Sequence, residues 1–576
     1  MIEPLKNKVD LSSDPDALFL NPWREDGLKL LGEPEFYWRE TTGAIIDGFA
    51  VSAHAEINSK IRSFVAHSKR HKKFKTVIET NTLPVVLDNA KFRKSHVMVG
   101  DKLVLSGASS TRLFNTFRWE NQAGGADPVE TLNRYLQACR TANAGRQLPV
   151  EKIFLESDLD FAIECRNTFN YFHFITESLS QLCVLDAVGF QGNVYFHFPN
   201  QEEKQGGFAV SFVETLFPEF VGRVFFERAP KEYDLVLTAF DVVGAIGQMP
   251  QDVLTGLDRI VPDDSVVGSV EFQPVLAMNS VSSALLALRS RAHKAIEGKD
   301  FNHLPKRVFI GRSDDQSRSR PLAGEDLLMK HLGHFGFKYV VFEKLAPLEQ
   351  IALMAQAEVM ISQHGAGFTN MLFANSDAYL IELGTLQTAQ SRWADFWPLA
   401  HAAKCTYLSF YADFNSDDQL HEPIFRADGI VPPALSEKAV AQVVAFVVTL
   451  LGHAPTMPDV ANLTTLARRV LRAGAAAQAI ALLEKHFGIV VKDAGLCLLR
   501  ADCHKALDEP KSELVALEQA HAADPSRWQT LVRMIWCANR CERPAVIRWA
   551  LSRLAANFPD RHAAFVSNHD WVRFVA

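Results

Sequence analysis

Between Lys306 and Phe410 short apolar runs alternate with amphipathic segments, and this alternation narrows the fold more than any other feature of the chain. Val308-Phe309-Ile310, Tyr339-Val340-Val341-Phe342, Ala357 to Ile361, Ala378 to Leu383 and Cys405 to Phe410 read as strands. Helices are expected between them, one from about Pro321 and one from Pro347 to Ala357, the latter with proline at its start and Glu349 near its positive end. Strands that alternate with helices form a parallel, doubly wound sheet, because each return to the same edge needs a crossover that covers a face. Ligands of such sheets sit beyond the carboxyl ends of the strands, where Arg312, His364 and Glu382 are expected to arrive.

Gln363-His364-Gly365-Ala366-Gly367-Phe368-Thr369-Asn370 joins a strand to the first turn of a helix. Glycines at 365 and 367 let the backbone turn and approach a ligand, and the free N–H groups that open a helix favour an anion, most often phosphate. A tight turn with a hydrogen-bonded histidine is the plain alternative. A lipase-type oxyanion loop would need a Gly-x-Ser-x-Gly elbow, which the sequence lacks. Asn370 stands where a Gly-x-Gly-x-x-Gly fingerprint needs its third glycine, and no Walker pattern ending in Gly-Lys-Ser/Thr occurs. Arginine forks suit a pyrophosphate, the turn supplies backbone donors, and a carboxylate at a neighbouring strand end can accept from ribose hydroxyls. Together these describe a nucleotide-diphosphate site. Arg312, Arg318 and Arg320 read equally as part of a solvated loop, since Asp314 and Asp315 lie among them.

The arginine-bearing polar loop, Glu349-Gln350-Ile351, and the strand leading into His364-Gly365-Ala366-Gly367-Phe368-Thr369-Asn370 with Phe373-Ala374 resemble glycosyltransferase family 61. That family includes protein O-linked N-acetylglucosaminyltransferases and plant xylan xylosyl- and arabinosyltransferases. Asn170-Tyr171-Phe172-His173-Phe174 is similar to its upstream Asn-Tyr-Tyr-His-Trp segment, so the resemblance spans about residues 150 to 410, although the loop after Arg312 departs from the usual spacing. It implies a GT-B-like pair of Rossmann-like domains facing a cleft, inverting transfer from a nucleotide sugar, and no obligatory metal or other cofactor. Donor contacts are then expected from Arg312, Arg318, Arg320, His364, Gly365, Ala366, Gly367, Thr369, Asn370 and Glu382. His173 and Glu177, at i and i+4 of an expected helix, share one face, and either can be the base with the other orienting it. The competing reading packs both among Phe169, Phe172, Phe174 and Leu179. Asp158-Leu159-Asp160 could hold a metal on a diphosphate, but the tripeptide is common in turns and is read as one.

A chain of 576 residues holds two to four domains, and its 48% hydrophobic and 22% charged composition is ordinary globular usage. A formal charge of −7 argues against a general nucleic-acid binder, whose footprint is basic; the run Lys69 to Lys75 is a local exception, read as a solvated face or surface turn, with an anionic acceptor or a membrane surface as the alternative. Met1 to Lys8 lacks the apolar core of a signal peptide, and Val440 to Leu451, interrupted by Gln442, is too short to span a bilayer. The expectation is a cytoplasmic protein without a transmembrane segment, or one peripheral at the inner membrane face. Eight dispersed cysteines agree with a reducing compartment, and Cys537 and Cys541 lack further ligands for a metal site.

Three regions are expected: an acceptor-side Rossmann-like domain with an N-terminal extension over 1–270, a donor-binding Rossmann-like domain over 271–454, and helical tetratricopeptide-like repeats over 455–576. An amphipathic helix from Ser280 to Ile296 should connect the first two, and Val440 to Leu451 should close the second. In the third, Leu483, Leu517 and Leu551 are spaced by 34 residues, as are Gly474, Asp508 and Glu542, and Pro525 and Pro559. Such arrays offer a surface for a protein partner or for self-association. The reading that results is an inverting glycosyltransferase acting from a nucleotide-diphosphate sugar on a glycan or glycoconjugate, in surface-polysaccharide assembly. The alternative is a non-catalytic interaction protein whose repeats bind a partner and whose α/β region is a relic.

Overall fold

The computed structural model describes residues 9–10, 14–40, 44–70, 76–93, 96–107, 110, 119–120, 127–150, 158–165, 170–198, 207–254, 268–271, 280–312, 321–419, 422–451, 460–472 and 474–574. The chain divides into two compact units, Met1–Ser436 and Glu437–Ala576. The first is mixed α/β and the second all-helical.

The alternating segment forms the expected parallel sheet, ordered Lys338–Val340, Arg307–Ile310, Val359–Gln363, Tyr379–Thr385, Thr406–Phe414. Its central strands are apolar runs buried along their whole length, as a sheet covered on both faces requires. Two further strands complete it. Pro433–Ala434 pairs antiparallel with Thr406–Phe414, and Ile45–Ala50, from a segment assigned by sequence to the first domain, runs parallel to Thr406–Phe414 from Ile45 opposite Thr406 to Ala50 opposite Tyr411. Asp413 fastens this early segment, accepting hydrogen bonds from the Ser52 hydroxyl and, at 3.1 Å, from the Ala53 N–H.

A second sheet is mixed rather than wholly parallel. Val224–Glu227, Val194–His197, Phe161–Glu164 and Lys231–Asp241 are parallel neighbours, while Thr82–Arg93, His96–Val99, Lys102–Leu103 and Leu28–Leu30 add an antiparallel half. Thr82–Arg93, His96–Val99 and Lys102–Leu103 pair through short reversals, whereas Leu28–Leu30 and Lys231–Asp241 join Thr82–Arg93 from farther along the chain. Asp160 closes the loop before the second strand: its carboxylate accepts from the Asn193 backbone and side chain at 3.3 and 3.2 Å and lies 3.6 Å from the Lys231 ammonium. Helix Ser283–Ile296 packs on both the segment Leu179–Ala187 and helix Pro347–Gln356, and one apolar core runs from Phe161 and Phe196 of this sheet to Val308, Met360 and Tyr407 of the other.

His197 is buried in this sheet with Nε2 2.8 Å from the Tyr233 hydroxyl, and burial, helped by nearby Lys231, lowers its imidazole to about 3. The unfolded chain binds a proton near the ordinary 6.5 that the folded chain refuses. Stability is therefore intact above that value and drains away as pH falls toward 3, by at most about 1.4 kcal/mol per pH unit. In urea titrations between pH 7 and pH 4, His197→Gln should flatten this slope; an unaltered slope would place the acid lability on other groups.

In the second unit, helix Glu437–Leu450 is followed by Val460–Arg472 and Ala476–Lys485, Ala494–Ala506 and Pro510–Ala523, and Trp528–Arg540 and Pro544–Asn557. Both helices of each pair start 34 residues after their counterparts, and Leu483, Leu517 and Leu551 are buried at equivalent places. The turn positions Gly474, Asp508 and Glu542 have φ of 89°, 56° and 54°. Glycine takes that left-handed conformation freely, whereas Asp508 and Glu542 are strained there by roughly 1–2 kcal/mol. Asp508→Gly and Glu542→Gly should each stabilise the repeats by about 0.5–1 kcal/mol, read as slower amide exchange over residues 494–557; faster exchange would mean that their side chains hold the turns. Helix Pro559–Asn568 and the turn Asp570–Phe574 follow the last pair, with Trp536 against Trp571 at 5.3 Å and His569 at 5.0 Å.

Candidate active site

His364 leaves strand Val359–Gln363 and enters a 3₁₀ helix, Ala366–Phe373, capped by Gly365. Gly365, Ala366 and Gly367 are half-buried, while Phe368, Thr369 and Asn370 are buried, so the ligand-facing part of the motif is its first half. Arg312, two residues beyond strand Arg307–Ile310, reaches over the turn and donates from Nη2 to the His364 carbonyl at 3.0 Å. A Cβ on Gly365 would stand 2.5 Å from that nitrogen. A side chain at 365 would therefore make the guanidinium shift from its place over the turn. Burial slightly disfavours the Arg312 charge and Glu343 partly restores it; among the described residues no carboxylate lies within ion-pairing distance.

His364 is held by its second nitrogen. Nδ1 lies 2.6 Å from Glu382 Oε1, and both side chains are buried. The other carboxylate oxygen of Glu382 accepts from the Tyr407 hydroxyl and, at 3.4 Å, from Ser409. Burial followed by the Glu382 charge holds Tyr407 well above its ordinary value, so it keeps its proton and donates. Glu382, expected to meet a ribose, is turned inward instead. Strand Tyr379–Thr385 continues past it to Thr385, which leaves Glu382 inside the sheet opposite Ser362 and Ser409 rather than at its end. With Nδ1 engaged, Nε2 is the nitrogen His364 has left for a ligand.

The upstream motif docks directly on this turn. Asn170 caps a single α-helical turn, Tyr171–His173, which widens into a π-helical segment, Phe174–Ser178, before tightening to 3₁₀ geometry. Despite the change of helix type, His173 Nδ1 lies 2.8 Å from Glu177 Oε1. The two side chains are 18% and 21% exposed, open enough to meet a substrate. Tyr171 packs edge-on against Phe208 and Phe212, and its hydroxyl donates to Asn370 Oδ1 at 2.7 Å while lying 3.3 Å from Gln350. The Asn370 amide in turn donates to Gln350 at 3.2 Å. Asn370 therefore couples the two motifs and does not face a ligand. A buried bond of this kind contributes about 1 kcal/mol, and orphaning either partner costs about 1–3 kcal/mol.

The structure brings together Arg312, His364, the glycine turn, Glu382, His173 and Glu177; Arg318 and Arg320 lie outside the described residues. It also adds a group that no motif marked. Asp395, in the turn Trp393–Phe396, is followed by Phe396, whose ring packs on His364 at 5.4 Å and on Phe172 at 5.7 Å. The Asp395 carboxylate lies 3.4 Å from Arg392 and within electrostatic reach of His364, Glu382 and His173; burial raises it above its ordinary value.

Residues 171–381 match the family model described as Glycosyltransferase 61, a span that contains the glycine motif and the upstream motif from Tyr171 on. That region is thus similar to glycosyltransferase family 61, a similarity that suggests glycosyl transfer. No curated protein matches the chain. Among solved structures, "Crystal structure of MamA" and "Crystal structure of MamA protein" are 18% and 17% identical to it, each with a TM-score of 0.18. They cover 21% of this chain, which spans 67% and 63% of theirs. No helix among the described residues is long and apolar enough to cross a membrane.

Proposed function

We propose that the chain is an inverting glycosyltransferase that uses a nucleotide-diphosphate sugar and works as a GT-B-type enzyme, with residues 271–454 on the donor side and 1–270 on the acceptor side. The observation that carries this reading is the meeting of two carboxylate-anchored histidines, one from each motif, beside a cationic glycine turn. In a single displacement the acceptor oxygen attacks the anomeric carbon as the bond to the diphosphate breaks. The acceptor proton passes to His173 Nε2, and Glu177 holds the ring and stabilises the imidazolium formed. Arg312 and the N–H groups of the turn stabilise the charge that builds on the leaving diphosphate. His364, fixed through Glu382, presents Nε2 on the same side. The acceptor is a glycan or glycoconjugate of a surface polysaccharide, reached from the cytoplasm, and the repeats recruit that acceptor or a protein partner.

These groups leave no step that requires a metal. The purified protein should be stabilised against heat by one nucleoside diphosphate and its sugars, since a ligand at 100 times its Kd adds about 2.7 kcal/mol. Transfer should persist in chelator. Activity abolished by chelator and restored by manganese would overturn the metal-free reading. Stabilisation by a nucleotide without transfer to any glycan would favour the alternative, a repeat-based interaction protein with a relic nucleotide site.

A further inference from the structure

Tyr339 lies on strand Lys338–Val340, which among the described residues is the outermost of the parallel sheet, and it is 46% exposed. Its ring stacks on buried Phe309 at 5.7 Å, with the planes 22° apart, and leans toward the carboxyl end of the sheet until its hydroxyl lies over Gly311. A Cβ at 311 would overlap that hydroxyl. Gly311 extends the ladder at this point, its N–H donating to the Val340 carbonyl at 2.9 Å. The next residue is Arg312, which crosses to the glycine turn. A supported aromatic ring therefore stands beside the guanidinium assigned to the diphosphate.

A nucleotide sugar is linear, with its sugar and its nucleoside at opposite ends of the diphosphate, and the order of the strands tells the ends apart. Phe172 and His173 meet the site on the side of strand Tyr379–Thr385, through Phe396, which comes after that strand and packs on both Phe172 and His364. Arg312 and Tyr339 come from the opposite side of strand Val359–Gln363. With the diphosphate on Arg312 and the turn, a sugar that faces His173 sends the nucleoside outward toward Tyr339. A ring already fixed from beneath by Phe309 loses little freedom when a second planar group stacks on it. Resting on the donor-site reading above, we propose that Tyr339 stacks on the nucleobase of the donor. Because every base presents a π face, this contact adds affinity for a nucleotide without choosing its base.

The test uses the full chain and calorimetry with adenosine, uridine, guanosine and cytidine diphosphates, and inorganic pyrophosphate as a competitor of whichever binds. Tyr339→Ala should weaken the nucleoside diphosphate by about 5- to 150-fold, the value of one base stacked on an aromatic side chain, and leave pyrophosphate within about 2-fold. Tyr339→Phe, which keeps the ring, should leave both within about 2-fold. Retained pyrophosphate binding also reports that the variants are folded. The inference falls, and the donor site stands, if Tyr339→Ala leaves the nucleoside diphosphate unchanged or weakens pyrophosphate equally. It falls likewise if Tyr339→Phe loses as much as Tyr339→Ala, since the hydroxyl and not the ring would then make the contact. If wild type binds none of the four nucleoside diphosphates, the donor-site reading fails and this inference with it.

Discussion

His173→Ala should lower kcat by about 10²- to 10⁴-fold, the usual contribution of a general base, while leaving nucleoside diphosphate affinity unchanged. The expectation follows from the division of labour at the site. His173 is anchored by Glu177 at 2.8 Å on the upstream motif, whereas the phosphate-type donors belong to the glycine turn and Arg312. Glu177→Gln keeps the hydrogen-bonding shape but removes the charge that stabilises an imidazolium, so its loss should be smaller. If the two act as one unit, the double variant should be little worse than His173→Ala. Multiplicative losses would show that they act separately. A variant that melts earlier yet turns over normally would return His173 to a packing role beside Phe172, 5.3 Å away.

Arg312→Ala should weaken nucleoside diphosphate binding by about 1.5–3 kcal/mol, or roughly 10- to 150-fold, the value of a lost charge-assisted hydrogen bond. His364→Ala is expected in the same range. The structure supplies an independent route to the same contact: the added methyl of Gly365→Ala would meet Arg312 Nη2 at 2.5 Å and displace the guanidinium without removing its charge. Calorimetry should find Gly365→Ala impaired in the same direction but by less than Arg312→Ala, and the combination no worse than Arg312→Ala alone. Undiminished affinity in Arg312→Ala and His364→Ala together would move the diphosphate elsewhere.

The parallel sheet was legible because each of its strands is a local apolar run between helix signals, as in Val359–Gln363 after helix Pro347–Gln356. The repeats were legible because strained and buried positions recur in step along the chain. Ile45–Ala50 gave no such sign: it stands in a region whose sequence assigns no element, and its partner lies some 360 residues away. Strand length misled at Glu382, where two residues beyond the apolar run continue the ladder and bury the carboxylate. The change of helix type after His173 was not foreseen; Glu177 lies within the π-helical segment, and the i,i+4 contact is nonetheless made at 2.8 Å. Asp395 sits in no motif. Only packing of Phe396 against aromatic groups from both motifs makes its neighbourhood chemical.

The pairing of Ile45–Ala50 with Thr406–Phe414 also orders events in time. During synthesis the early strand emerges first and has no partner until most of the first unit has been made, because loop closure over such a separation precedes any gain from the contact. Until then Ile45–Ala50 lacks the partner edge that Thr406–Phe414 later supplies, and an unpaired strand of this kind templates aggregation. A fragment beginning near residue 271 would leave the edge of Thr406–Phe414 that Ile45–Ala50 covers bare permanently. Its rescue by a separately supplied N-terminal fragment would make this chain a natural split protein, with a seam along the strand whose Tyr407 and Ser409 hold Glu382.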